Sequence, residues 1–150
     1  MRNYPKPVVG AVIFNPEGKV LICRAPKWGN KYIIPGGHIE TGETMEEALR
    51  REIREETRLS IYDIKLISLK ENIPLKKYHK NQHFIFIDFI CKTDSSKVIL
   101  NKEAQEYRWI DLQDIDVYDL CSFTKELLIE IRDKNSTENK VNIFYNRYFP

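Results

Sequence analysis

Glu52, Glu55 and Glu56 stand three and four residues apart in the stretch MEEALRREIREET, residues 45–57. In a helix that spacing puts all three carboxylates on one face. At about 100° per residue, Ala48 falls inside their arc, and Met45, Leu49 and Ile53 continue it toward the apolar side. Glu47, Arg50 and Arg54 take the outward face. The acids therefore occupy the rim of the side that the helix must bury, where like charges repel in a reduced dielectric. A polyvalent cation neutralises such a set, and hard oxygen donors suit Mg²⁺, or Mn²⁺ in its place. The competing arrangement is a solvated face on which Arg50, Arg51 and Arg54 partner the acids.

The flanking residues favour the cation. Read from Gly37, the chain runs Gly, five residues, Glu43, seven residues, Arg51-Glu52-Ile53, one residue, Glu55-Glu56, two residues, Leu59, with Pro35-Gly36 just ahead. This pattern of 23 residues resembles the signature of the Nudix hydrolases, and similarity extends over residues 8 to 112. The resemblance implies an α/β/α sandwich: a mixed, curved sheet between the signature helix and a C-terminal helix. It also implies hydrolysis of the diphosphate linkage in a nucleoside diphosphate joined to another group. The metal would be held by the Gly37 carbonyl with Glu52, Glu55 and Glu56, and Arg51 would orient the neighbouring glutamates by charge-assisted hydrogen bonds. The attacking water would give its proton to Glu52 or Glu103. One position departs from the pattern: Arg58 stands where the family has Gly. A glycine there suits a left-handed helix cap, which costs another residue about 1 kcal/mol, so the helix ending is in question.

Other candidates are spread along the chain. In mutator-type members a glutamate in a loop before a Trp completes the metal site or acts as base. Glu103, in Lys102-Glu103-Ala104-Gln105 ahead of Trp109, is the match, with Glu106 as competitor. Arg24 and His38 are candidate phosphate contacts, and Trp28 and Tyr32 candidate stacking partners for a base; core packing is the alternative for both aromatics. For the substrate, the compact chain and the Lys102–Gln105 similarity point to nucleoside triphosphates. Pro74, 15 residues after Leu59, points to ADP-ribose or another nucleotide sugar, and Tyr78 is a poorer match to dinucleoside polyphosphate hydrolases. A non-catalytic nucleotide sensor is the alternative of another class, but such relatives usually lose signature carboxylates that this chain retains.

Several elements must position these residues. Val8–Phe14 and Lys19–Ala25, joined by Asn15-Pro16-Glu17-Gly18, predict a hairpin. Tyr32–Ile34 predicts a short strand and Pro35-Gly36-Gly37 a tight turn whose glycines admit close backbone approach. Thr44-x-x-Glu47 is a capping box that starts a helix over 45–57. Strands are predicted at Ile61–Leu69, His83–Lys92 and Tyr107–Ile110. In the second of these, Phe84, Phe86 and Ile90 share a face. An amphipathic helix is predicted over Leu120–Ile131.

The 150 residues suffice for one domain with a real core. That domain is predicted over residues 1–134, followed by an aromatic-rich tail, 135–150, that packs on its own domain or on a second copy; the protein is expected as a monomer or homodimer. With 24 basic against 22 acidic residues, the net charge of +2 makes no electrostatic case for nucleic acid or a membrane as partner. Cys23, Cys91 and Cys121 lack metal-site spacing and suit a reducing compartment. The apolar run at Val8–Phe14 is too short to span a bilayer. A cytoplasmic location is expected.

Overall fold

The computed structural model describes residues 4–73 and 83–134, together with Ile143 and Tyr145. Its frame is a mixed sheet of seven strands: β1 (Lys6–Phe14), β2 (Val20–Ala25), β3 (Lys31–Ile33), β4 (Gly36–His38), β5 (Tyr62–Asn72), β6 (Phe84–Lys92) and β7 (Glu106–Ile110). The order is β3-β2-β1-β6-β5, with β4 pairing β1 and β7 pairing β2. β1 and β6 run parallel from Lys6↔Phe84 to Phe14↔Lys92, and the other strand pairs are antiparallel.

Period-two alternation sends successive side chains to opposite faces, and the sequence uses both. Val9, Ala11 and Ile13, Leu21 and Cys23, and Phe89 and Cys91 pack with Ala48, Leu49 and Ile53 of helix α1 (Met45–Thr57). Val12, Val20, Ile22 and Ile90 face the other way, onto Leu127, Leu128 and Ile131 of helix α2 (Ser122–Lys134). The result is the three-layered α/β/α arrangement, with a core on each side of the sheet.

Local chemistry explains most element boundaries. In the β1–β2 turn the Asn15 carboxamide oxygen accepts from the backbone of Glu17 and Lys19, and Gly18 takes φ +74°. At the start of α1 the Thr44 hydroxyl accepts from the Glu47 N–H while the Glu47 carboxylate accepts from the Thr44 N–H. At its end Arg58 adopts φ +64°, ψ +12°, and its N–H donates to the Arg54 carbonyl. The left-handed cap is thus kept without glycine, and the arginine carries the strain.

Several boundaries differ from expectation: β1 starts at Lys6, β5 runs on to Asn72 and α2 to Lys134. Residues 36–38 form strand β4 rather than a tight turn, with Gly36, Gly37 and His38 opposite Gly10, Val9 and Val8. Helix α2 starts at Ser122, not Leu120, because the preceding segment lies along β3: the Tyr32 N–H donates to the Asp119 carbonyl and the Cys121 N–H to that of Tyr32. Ile143 packs onto the α1-side core of its own chain. Pro74 and Tyr78, and the tail aromatics other than Tyr145, lie outside the described residues. Among the described residues no helix is long and apolar enough to cross a membrane.

Candidate active site

Helix α1 brings Glu52 and Glu56 toward β4, and two glycines make the approach possible. A Cβ at Gly37 would lie 2.3 Å from the Glu52 carboxyl carbon, and one at Gly36 would lie 2.0 Å from the Val9 carbonyl oxygen. Neither glycine has positive φ; the requirement here is space. The Gly36 N–H donates to the Glu56 carboxylate at 3.1 Å.

A third acid comes from the loop before β7. The C-terminal carbonyls of α1, which lack partners within the helix, hold that loop: Asn101 N–H donates to the Glu56 carbonyl and Ile99 N–H to that of Thr57. Gln105 N–H ties its far end to the Arg24 carbonyl on β2, and Glu103 N–H donates to the Asn101 side chain. Glu103 is thereby set against the helix, and carboxylate oxygens of Glu52, Glu56 and Glu103 lie within 4.8 Å of one another. Burial, then the Glu103 contact and the charges of Glu103 and Glu52, push the Glu56 carboxyl up to about 9. Burial also raises Glu52, against the pull of Arg51. Glu103 therefore lies in the cluster, whereas Glu106 does not.

Arg51 organises the rim. Its guanidinium forks onto Glu43 at 2.6 and 2.9 Å, donates to Glu52 at 2.9 Å, and reaches the His38 carbonyl at 3.0 Å. Glu55, expected among the metal ligands, lies outside the cluster: its side chain is 56% exposed and accepts a 3.4 Å bond from Arg51. The reason is angular, since Glu55 bounds the acidic arc on the solvent side.

The three acids open onto a cavity of about 390 Å³. His38 and Trp28 line it, as do Lys27 and Lys102. Burial and the charges of Lys27 and Lys6 lower the His38 pKa, favouring the neutral ring. Arg24 and Tyr32, expected as substrate contacts, do not line this cavity. β2, β3 and β7 set them beside Glu106, so Arg24 forms an ion pair with it at 3.4 Å and the Tyr32 hydroxyl donates to it.

Asp88, Phe84, Phe86, Phe123 and Thr124 also line the cavity and were not picked out as site residues. For Asp88 the signal was present: it is the one acid in HFIFIDFICK, in phase with Phe84, Phe86 and Ile90. For Phe123 and Thr124 there was none, because only the docking of α2 brings them there.

Carboxylate oxygens from α1 and from the loop before β7 thus converge as hard donors that suit a divalent cation.

Comparison with known proteins agrees with this geometry. The family model described as NUDIX domain matches residues 4–130. A nucleoside triphosphatase NudI of Salmonella typhimurium is 31% identical over 122 residues, covering 75% of this chain and 86% of the relative, and its counterpart in Salmonella paratyphi B matches equally. Among solved structures, a MutT protein from Methanosarcina mazei superposes with a TM-score of 0.74 at 22% identity, over 90% of this chain and 98% of the other. The NUDIX domain of Shewanella oneidensis NrtR, complexed with ADP ribose, gives 0.74 at 17% identity, over 90% and 91%. These two likenesses bear on the fold alone. With the signature, the sandwich and the family match in agreement, the chain belongs to the Nudix hydrolase family.

Proposed function

We propose that the protein hydrolyses nucleoside triphosphates to a nucleoside monophosphate and pyrophosphate, with Mg²⁺ as its divalent cation. The observation that carries this reading is the cluster of Glu52, Glu56 and Glu103 at the mouth of an aromatic-lined cavity sized for a small ligand. The 31% identity to a nucleoside triphosphatase over most of both chains supports the choice of substrate.

Glu52, Glu56 and Glu103 would hold the cation, which supplies neutralisation of the phosphate charge and polarisation of phosphorus. The protein's own groups do the rest. Lys27 and Lys102 face the same cavity and suit the remaining phosphate oxygens. A water oxygen bonds to phosphorus, the anhydride oxygen leaves with the bond pair, and the water's proton passes to a glutamate. Glu52 and Glu103 are the candidates for that base. Arg51 holds Glu52 in register through its fork onto Glu43 and its bond to the His38 carbonyl, so the acid does not have to be ordered during the reaction.

The test is product identification after incubation with Mg²⁺ and a panel of triphosphates, ADP-ribose and dinucleoside polyphosphates. Monophosphate plus pyrophosphate is expected. Glu56→Gln is expected to lower turnover at least about 10²-fold, as loss of a charge-stabilising group does. AMP plus ribose 5-phosphate, or an unchanged rate in Glu56→Gln, would overturn the reading. Metal binding without turnover on any diphosphate would instead support a sensor.

A further inference from the structure

The cavity spans both layers of the sandwich. Its lining includes Glu52 and Glu56 of α1, and also Phe123, Thr124 and Leu127 of α2 on the opposite side of the sheet. Toward α2 its wall is aromatic. Trp28 lies 5.6 Å from Phe84 and 5.4 Å from Phe123, centre to centre, and Phe86 stacks on Phe123 at 4.9 Å. Such a wall offers flat apolar faces to a flat ring.

Two polar groups interrupt this apolar wall, and the fold itself uses neither. Asp88 on β6 is 5% exposed and Thr124 on α2 is 1% exposed. Among the described residues the Asp88 carboxyl has no hydrogen-bond partner, and the Thr124 hydroxyl oxygen is buried without one. Buried polar side chains are overwhelmingly paired, because an unpaired one forfeits its hydration for nothing. The Asp88 carboxyl fits only because Gly10, its neighbour on β1, has no side chain: a Cβ there would lie 2.6 Å from Asp88 Oδ1. Burial pushes the Asp88 carboxyl up to about 7, opposed by the Lys70 charge. Its charged form is therefore reached under mildly alkaline conditions.

We propose that Asp88 reads the edge of a nucleobase held against the aromatic wall, favouring bases with an exocyclic amino group over those with a carbonyl in its place. The inference rests on the proposed nucleotide substrate and adds which bases it carries. An amino group donates to a carboxylate, as the cytosine N4 amino group does to acidic side chains. A carbonyl at the same place sets oxygen lone pairs against a buried negative charge. Rejection by a site built around one hydrogen bond is far stronger than rejection by shape alone, because the site's polar group is left unpaired.

Equilibrium binding of nucleoside monophosphates tests this without requiring turnover. CMP and UMP differ at the 4-position, an amino group against a carbonyl, and at the adjacent ring nitrogen, an acceptor in CMP and an N–H in UMP; AMP and IMP differ in the same way at their 6-position and N1. Trp28 in the cavity wall provides a fluorescence signal. At a pH of about 8, CMP and AMP are expected to bind at least about tenfold more tightly than UMP and IMP, the ratio produced by one unpaired buried group. Asp88→Asn presents both an acceptor and a donor, and should bring UMP within about threefold of CMP. Asp88→Leu should weaken all four ligands and abolish the ranking. Equal binding of CMP and UMP by the wild-type protein, or a ranking that survives both substitutions, overturns the proposal. A CMP preference in a protein that hydrolyses no triphosphate would overturn the proposed reaction and leave the base reading standing. Triphosphate hydrolysis with equal kcat/KM for CTP and UTP would do the reverse.

Discussion

At the scale of single residues, this chain places acids where burial works against them. Asp88 carries the clearest consequence for stability. Its ordinary value is 3.8, and burial holds it at about 7. Between those values the folded chain holds a proton that the unfolded chain has released, so stability falls as pH rises across that window. The full penalty is present above about 7 and amounts to about 4 kcal/mol. Asp88→Asn removes the titration. Its melting temperature should exceed that of the wild-type protein at a pH of about 8, and the two should converge toward a pH of about 4. Thermal melts across that range check this, and a constant offset would show that Asp88 does not titrate with folding.

At the scale of elements, helix α1 organises the site through both of its ends. The capping box fixes its start, and its last carbonyls hold the loop that carries Glu103. The turn away from the helix depends on Arg58 in a left-handed conformation, which glycine adopts at almost no cost. Thr57 supports the same ending: its hydroxyl donates to the Ile53 carbonyl and accepts from the Leu59 N–H. Arg58→Gly is therefore expected to stabilise the protein by about 1 kcal/mol and raise its melting temperature without loss of turnover. A lower melting temperature would mean that the arginine side chain contributes more than its backbone costs.

At the scale of the whole molecule, the sandwich gathers acids from α1 and from the loop before β7 into one partly buried cluster. Folding without a cation must bury these acids and hold their charges together, and the high value at Glu56 reflects burial first and the Glu103 contact and neighbouring charges after it. A cation that binds only the folded state shifts the folding equilibrium in its favour. Addition of Mg²⁺ should raise the melting temperature, and Glu56→Gln should show a clearly smaller increase. Equal increases in both proteins would mean that the cation binds elsewhere.

Much of this was legible from the chain itself, for reasons that are local. Helical spacing put Glu52 and Glu56 together, the capping box fixed the start of α1, and alternation in HFIFIDFICK marked a strand with Phe84, Phe86 and Ile90 on one face. Periodicity and capping are properties of a few neighbouring residues, so they survive without tertiary context. Fine placement within the helical arc was less legible, since only packing decides whether a rim residue such as Glu55 turns inward or outward. Positions 36–38 formed a strand because β1 was available to pair, which no turn propensity encodes. Glu103 and Glu106 lie in the same short stretch of sequence; hydrogen bonds to α1 and β2 bring the first beside Glu52 and Glu56, while Arg24 and Tyr32 take up the second. Asp88 and Thr124 are 36 residues apart in the chain, and they meet in one cavity only because α2 closes over the face of the sheet opposite α1.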